Sequence, residues 1–351
     1  MGSEQWTVNS GWLLLFWILM QTISSKTGLF LMLLESITNK RPVSVRKVIN
    51  LFTVLISAFI RFSRPHTIIA TTLQVVGLFI IAGGVESNTA EKWPVLLLTL
   101  VSCLAVNIYI VGLNQLADIE IDRINKPYLP LASAAFSINQ GRWIVGLAGV
   151  TALLLGASQG LYLFLTISVS FLVGTIYSLP PLHLKRFPVG AALSIAFVRG
   201  FVSNVGLYLH FHRLLAEETA VPWFFVLAVA LFFFGFGLVI ALYKDIPDLA
   251  GDSQFGIRTF TVRLGPERVF GIGRWLLTLF YLLPVGLALS DVGRPANLSL
   301  VVAHLLALFF FWRASLLVQP ANGPSMTRFY LTLWGLFYAE YVFLSLRQIV
   351  S

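Results

Sequence analysis

Residues 222–252 read PWFFVLAVALFFFGFGLVIALYKDIPDLAGD. The stretch 222–243 carries no charge, and an apolar run of about 20 residues is what a helix needs to cross the hydrocarbon core of a bilayer. Directly after it come Lys244 and three acids, Asp245, Asp248 and Asp252. A crossing that ends in a cluster of carboxylates at one membrane edge is the unit from which the rest of the chain is understood.

Eight more stretches of the same kind lie outward from it, at 67–85, 94–113, 143–157, 161–179, 188–210, 269–289, 297–318 and 329–349. The pair 143–157 and 161–179 is separated only by Ser158-Gln159-Gly160 and is expected to form a tight helical hairpin. The whole composition agrees. Hydrophobic residues are 57%, charged residues 11% and mean hydropathy is +0.85, whereas a soluble domain needs roughly 25% charged residues to face water. The expected fold class is therefore all-α, a multi-pass membrane bundle of about nine transmembrane helices. The same figures exclude disorder, coiled coil and collagen. The net charge of +9 is spread thinly along the chain. It forms no polar basic domain, so nucleic acid is not an expected partner and the lipid bilayer is. Cys103 is the single cysteine, which excludes an internal disulfide and a thiolate metal cluster.

Lysine and arginine placement orients the nine spans. Counting loops from the N-terminus, 19 of the 24 basic residues fall on the N-terminal side, four (Lys92, Arg213, Arg294, Arg347) on the other, and Arg199 lies inside span five. The positive-inside rule then puts the N-terminus on the cytosolic or stromal side and the C-terminus opposite. Residues 1–60 are expected to form an N-terminal extension before a transmembrane domain at 61–351. Residues 11–34 are apolar but broken by polar residues, which fits an interfacial helix, an extra span or a processed leader.

Six of the 15 acids sit in two runs: Asp118, Glu120 and Asp122, and Asp245, Asp248 and Asp252. The runs follow spans two and six, so both emerge on the positive side. Asn107, Asn114, Asp118 and Asp122 step by 7, 4 and 4, within about 80° of one another on a single helical face. The second run steps by 3 and 4, with Pro247 and Gly251 interrupting it. Stacked carboxylates repel, and a cation between them relieves the repulsion; hard oxygen ligands beside phosphate suit Mg²⁺. The plain alternative is that each run is a solvated loop end. Basic residues surround both: Arg123 and Lys126 after the first, Lys185 and Arg186 after Tyr177 and the two prolines, Lys244 before the second. Metal plus cations is what a leaving diphosphate requires.

Asn114-x-x-x-Asp118-x-x-x-Asp122 with a second Asp248-x-x-x-Asp252, on two helices of a nine-span chain, resembles the UbiA superfamily of membrane prenyltransferases. Longer strings are similar to the homogentisate prenyltransferases of tocopherol and plastoquinone synthesis: RFSRPHTII at 61–69, NIYIVGLNQL at 107–116, DRINKPYLPLAS at 122–133, GRWIVGL at 141–147, KDIPD at 244–248 and FGIRTFTVRLG at 255–265. The resemblance implies a helical bundle around a central cavity open sideways to lipid. It implies Mg²⁺ on Asp118, Asp122, Asp248 and Asp252, with Asn114 and Asp245 in support. A polyprenyl diphosphate, phytyl or geranylgeranyl, would be held by Arg123, Lys126, Tyr177, Lys185, Arg186 and Lys244. Its allylic cation would be attacked by an aromatic acceptor, homogentisate, with loss of carbon dioxide. The membrane would be a bacterial plasma or thylakoid membrane or a plastid membrane. Chlorophyll synthase and naphthoate, flavonoid or other phenolic prenyltransferases share the superfamily and are the alternatives within it. Two positions depart from the homogentisate pattern: Ala117 stands where a bulky aromatic is usual, and Ala250 where Glu is usual.

Arg64, His66 and Asn107 are candidates for holding the acceptor. Arg64-Pro65-His66 also reads simply as a helix start with Pro in the first turn. Arg199 and Glu340 lie inside spans, where charge is costly, so they should face the bundle interior, paired with polar neighbours or with each other. His183, His210, His212 and His304 have no metal spacing and read as interface or packing residues. Gly235 and Gly237 suit close helix packing. A transporter would place its carboxylates near the bilayer middle; here they gather at an edge.

Overall fold

The structure, a computed structural model, describes residues 45–84, 92–215, 219–289 and 295–350. Expectations for residues 1–44 lie outside the described residues. Among the described residues every regular element is a helix, and nine helices are long and apolar enough to cross a membrane.

Helix α1 (Val45–Phe62) leads into α2 (Pro65–Gly84), the first span. Then come α3 (Trp93–Ala117) and the short α4 (Ile119–Asn125). The expected hairpin is α5 (Ile138–Ser158) with α6 (Leu161–Ser178). A capping box between Ser137 and Gln140 starts α5. Gly160, at φ 108, makes the two-residue turn that lets α6 double back. Span five is α7 (Pro188–Leu215) and span six is α8 (Trp223–Lys244). Two short helices follow, α9 (Leu249–Gln254) and α10 (Phe260–Leu264). The last three spans are α11 (Pro266–Leu289), α12 (Pro295–Ser315) and α13 (Gly323–Val350). Proline at the first helical position opens α2, α7 and α11, where its missing N–H costs nothing.

The spans close into a ring. Each packs on the next in the chain, and α13 returns to α2. The innermost member is α8, which buries Phe232, Phe233, Phe236 and Tyr243. Phe233 stacks on Tyr341 of α13 at 4.1 Å. Lipid offers no hydrophobic push between helices, so close van der Waals contact must hold them. Gly235 and Gly237 supply it as expected: a Cβ on Gly235 would lie 2.0 Å from the Phe280 ring, and one on Gly237 3.0 Å from the backbone of Ala196. The outer surface is apolar, with Phe224, Trp275, Phe310 and Leu317 exposed, as a lipid-facing wall must be. An apolar groove of about 710 Å³ between α12 and α13 belongs to that wall and is lined by no titratable group.

One expectation needs correction. The first acid run does not continue the face of α3 as one helix. α3 stops at Ala117, and Asp118 adopts φ −114, ψ 18 before α4 resumes the turn. The break lets α4 leave the direction of span two and lie against α9, the short helix after span six. The two acid runs thereby meet across the mouth of the ring.

Candidate active site

Asp118 is held from three parts of the chain. Asn114, one turn earlier on α3, donates to its Oδ2 at 2.7 Å. Lys185, from the single turn Leu184–Arg186 between α6 and α7, pairs with its Oδ1. Arg64 at the start of α2 donates to Asn114 Oδ1 at 3.1 Å and completes the chain of contacts. Arg64 sits at φ 52, the left-handed turn that aims the chain into Pro65.

Asp248 is held from the other run. Lys126, just past α4, pairs with its Oδ2. The neighbouring Asn125 accepts the Gly251 backbone N–H on Oδ1 at 2.8 Å. Lys244 pairs with Asp245 at 2.6 Å. Two unit charges about 4 Å apart interact by roughly 4 kcal/mol at an effective dielectric of 20. Buried carboxylates at one edge therefore demand counter-charge, and three ammonium groups provide it. Asp118, Asp122, Asp245 and Asp252 are all buried, as is Lys185.

Burial sets the acid strengths. It raises the Asp122 carboxyl above the usual range, opposed by Lys126 and Arg64. It pushes Asp252 up to about 7, with the charges of Asp245 and Asp248 adding to it. Asp245 is raised by burial too, against the pull of Lys244. Lys185 is lowered to about 8 by burial and by the nearby Lys244 and Arg186.

The donor set fits a hard divalent cation. It consists of carboxylate oxygens, and one of them, Asp122 Oδ2, is buried without a hydrogen-bond partner, the kind of atom a metal satisfies. Among the described residues no three acids or histidines converge tightly enough to ligate one ion by themselves. The protein oxygens would therefore share any ion with substrate and water, as Mg²⁺ prefers.

The other expected residues are placed as follows. Arg123 turns outward and pairs with Glu120 at 2.7 Å, both well exposed. Arg186 is exposed. Tyr177 is half-buried and lies in the field of Lys244. Asn107 sits deeper on α3 and donates to Thr67 at 3.0 Å. His66 lies against Trp334 of α13, ring centres 5.1 Å apart, and its carbonyl accepts from the Tyr338 hydroxyl at 2.8 Å. Ala117 and Ala250 are exposed at the same end.

Arg199 and Glu340 do not pair with each other. Arg199 lies over Trp334 at 4.8 Å and Phe337 at 5.6 Å. Glu340, fully buried, pairs with His304 of α12 at 3.1 Å. His304 thus has a buried polar partner beyond the packing expected of it. A guanidinium at this depth costs roughly 2.5–3.5 kcal/mol on insertion scales, and a desolvated cation–π contact returns roughly 2 kcal/mol.

Sequence reasoning does not find Asn125 as the clamp between the runs, because Gly251 is 126 residues away and no spacing rule links them; its place inside DRINKP was the available signal. The aromatic face of Tyr330, Trp334 and Tyr338 was equally hidden, since aromatics occur throughout the spans.

Comparison with known proteins follows the same lines. The model of the UbiA prenyltransferase family matches residues 75–339. The chain is similar to homogentisate phytyltransferase of Synechocystis sp., with 45% identity over 82% of this chain and 94% of that protein. It is also similar to homogentisate phytyltransferase 1, chloroplastic, of Arabidopsis thaliana, with 39% identity over 82% of this chain and 75% of that one. Its fold is similar to that of a UbiA homolog from Archaeoglobus fulgidus bound to GPP and Mg²⁺, with TM-score 0.58 at 18% identity over 84% of this chain and all of that one. This integral membrane chain, whose described residues form a ring of nine apolar spans with acid-rich ends meeting at its mouth and which that family model matches over three quarters of its length, belongs to the UbiA prenyltransferase family.

Proposed function

We propose that the protein transfers a phytyl or geranylgeranyl group from its diphosphate to homogentisate, with loss of carbon dioxide, in a Mg²⁺-dependent reaction on the cytosolic or stromal face of its membrane. The observation that carries this reading is the junction of the two acid runs: Lys126 on Asp248 and Asn125 on Gly251 bring Asp118, Asp122, Asp248 and Asp252 to one mouth of an apolar ring. Similarity to homogentisate phytyltransferases along most of the chain supports the choice of acceptor.

In this reading the four aspartates hold the metal, with Asn114 and Asp245 fixing their neighbours. Bound there, Mg²⁺ supplies the positive charge that stabilises a leaving diphosphate. Lys126, Lys185 and Lys244, each paired with a carboxylate, would be free to turn to phosphate oxygens once a bound cation neutralised those acids. Arg64, tied to Asn114, and Tyr177 stay at that end, while the exposed Arg123 and Arg186 add long-range attraction for an anion. His66 and Asn107, below the acids, meet the hydroxyl groups of the acceptor. The prenyl tail remains in the apolar ring and enters from lipid without crossing water.

The chemistry balances without an outside reagent. The prenyl C–O bond breaks with its electron pair going to diphosphate, and a ring carbon of the acceptor supplies the pair for the new C–C bond. The ring then releases one proton. Loss of carbon dioxide leaves its bonding pair on the methylene carbon, which takes up one proton, so no net proton is consumed.

The test uses purified protein in lipid or detergent, supplied with homogentisate and phytyl or geranylgeranyl diphosphate. Prenylated methylquinol identified by mass spectrometry, abolished by EDTA and by Asp118→Ala or Asp248→Ala, is the expected result. Product formation unchanged in those variants would sink the reading. The departures at Ala117 and Ala250 favour one second reading, another phenolic acceptor on the same machinery, which a panel of acceptors with one diphosphate distinguishes.

A further inference from the structure

Arg199 lies in the middle of span five, and the site described above gives it no task. It lies in the π-helical turn Phe197–Val202 of α7. Such turns recur at functional positions because they displace one residue from the regular helix face. The turn is held firmly. The Arg199 carbonyl accepts from Asn204 Nδ2 at 2.9 Å and from Gln74 Nε2 at 3.5 Å. A Cβ on the next residue, Gly200, would fall 2.3 Å from the backbone of Phe234, so α7 is pressed against α8 there. The guanidinium rests on Trp334 and Phe337. Among the described residues no carboxylate pairs with it, because the acid at similar depth, Glu340, is taken by His304.

The surroundings of Arg199 reach the acid end. His66, two residues after Arg64, lies against Trp334 and Tyr330 at 5.1 Å and 6.3 Å, and Trp334 is the ring under the Arg199 guanidinium.

We infer that Arg199 is the receptor for the carboxylate of the aromatic acceptor, with Trp334 as the platform that presents it. This rests on the reading that the acceptor is homogentisate, and deepens it by naming the group that selects a carboxylate-bearing phenol. Charge bookkeeping supports the assignment. A bare guanidinium would oppose an allylic cation forming nearby, and the acceptor's carboxylate cancels that opposition. The cavity is then ready for ionisation only when the acceptor is seated. Arg199 does not drive the loss of carbon dioxide, since a departing carboxylate gives up the charge that Arg199 holds. Its contribution is to binding and orientation, and it should show in KM for the acceptor rather than in kcat.

The experiment compares wild type, Arg199→Gln and Arg199→Lys as purified full-length protein with matched thermal unfolding profiles. Two acceptors are used: homogentisate and methylquinol, which lacks the carboxylate. Loss of a charge-assisted pair predicts that Arg199→Gln raises KM and Kd for homogentisate by about tenfold or more. KM for the diphosphate should stay unchanged, as should binding of methylquinol measured by titration calorimetry, and Arg199→Lys should restore much of the loss. Equal losses on both acceptors, or an unchanged KM for homogentisate, would overturn the assignment. If Arg199→Gln fails to fold, Trp334→Leu takes its place, with the same split between acceptors required. A wild-type enzyme that prenylates other phenols but never homogentisate would instead overturn the function proposed above, and that is read before any variant is made.

Discussion

Asp252 shows at the scale of one residue how burial tunes a carboxylate proposed to hold Mg²⁺. Its carboxyl, raised to about 7, is mostly protonated below that pH and ionised above it. A divalent cation must displace the proton, so acid competes with metal. Mg²⁺ should bind about tenfold more weakly at pH 6 than at pH 8 and release close to one proton at the lower pH; calorimetry in two buffers of different ionisation enthalpy measures both. Equal affinity at the two values would show that no proton leaves the Asp252 carboxyl when Mg²⁺ binds. The lysines give a second prediction. Lys126→Met removes the partner of Asp248 and the proposed phosphate contact together, so KM for the diphosphate should rise by about tenfold or more. KM for the acceptor should hold, as steady-state kinetics with each substrate varied will tell.

Between elements, the decisive link is α4 to α9. Two short helices of seven and six residues have little stability alone and depend on what they touch. Asn125 is the tie, and Gly251 permits it: a Cβ there would fall 2.5 Å from Asn125 Oδ1. Gly251→Ala should push the amide away and leave polar groups unpaired, costing about 1–3 kcal/mol locally. Weakened Mg²⁺ binding with the spans intact is the expected signature, read by calorimetry beside circular dichroism. Deeper in the ring, Glu340 and His304 join α13 to α12. Breaking a buried pair costs roughly 3–5 kcal/mol, so Glu340→Ala should lower the thermal unfolding temperature while Mg²⁺ affinity stays near wild type.

For the molecule as a whole, the 19-to-4 bias of basic residues and the meeting of α4 with α9 require the same sidedness. In a Cys103→Ser background, Ala135→Cys should react with an impermeant thiol reagent from the face that carries the acids, and Ala220→Cys from the opposite face. Labelling of both from one side would remove the topology on which the site depends. How much of this could be read without coordinates follows from the range of each interaction. The spans among the described residues and the emergence of both acid runs at one end of the ring were legible, because a bilayer filters sequence by local hydropathy and charge. The break at Asp118 was not legible, since stepping by four looks the same for a continuous helix and for one that turns aside. Nor were the partners of Arg199, Asn125 and Glu340. The chain alone determined a membrane bundle with carboxylates at one edge, because the cost of charge in hydrocarbon is paid residue by residue. Only the tertiary structure decided which ammonium meets which carboxylate and which aromatic rings lie under the Arg199 guanidinium, because those contacts join residues far apart in sequence and depend on how the ring closes.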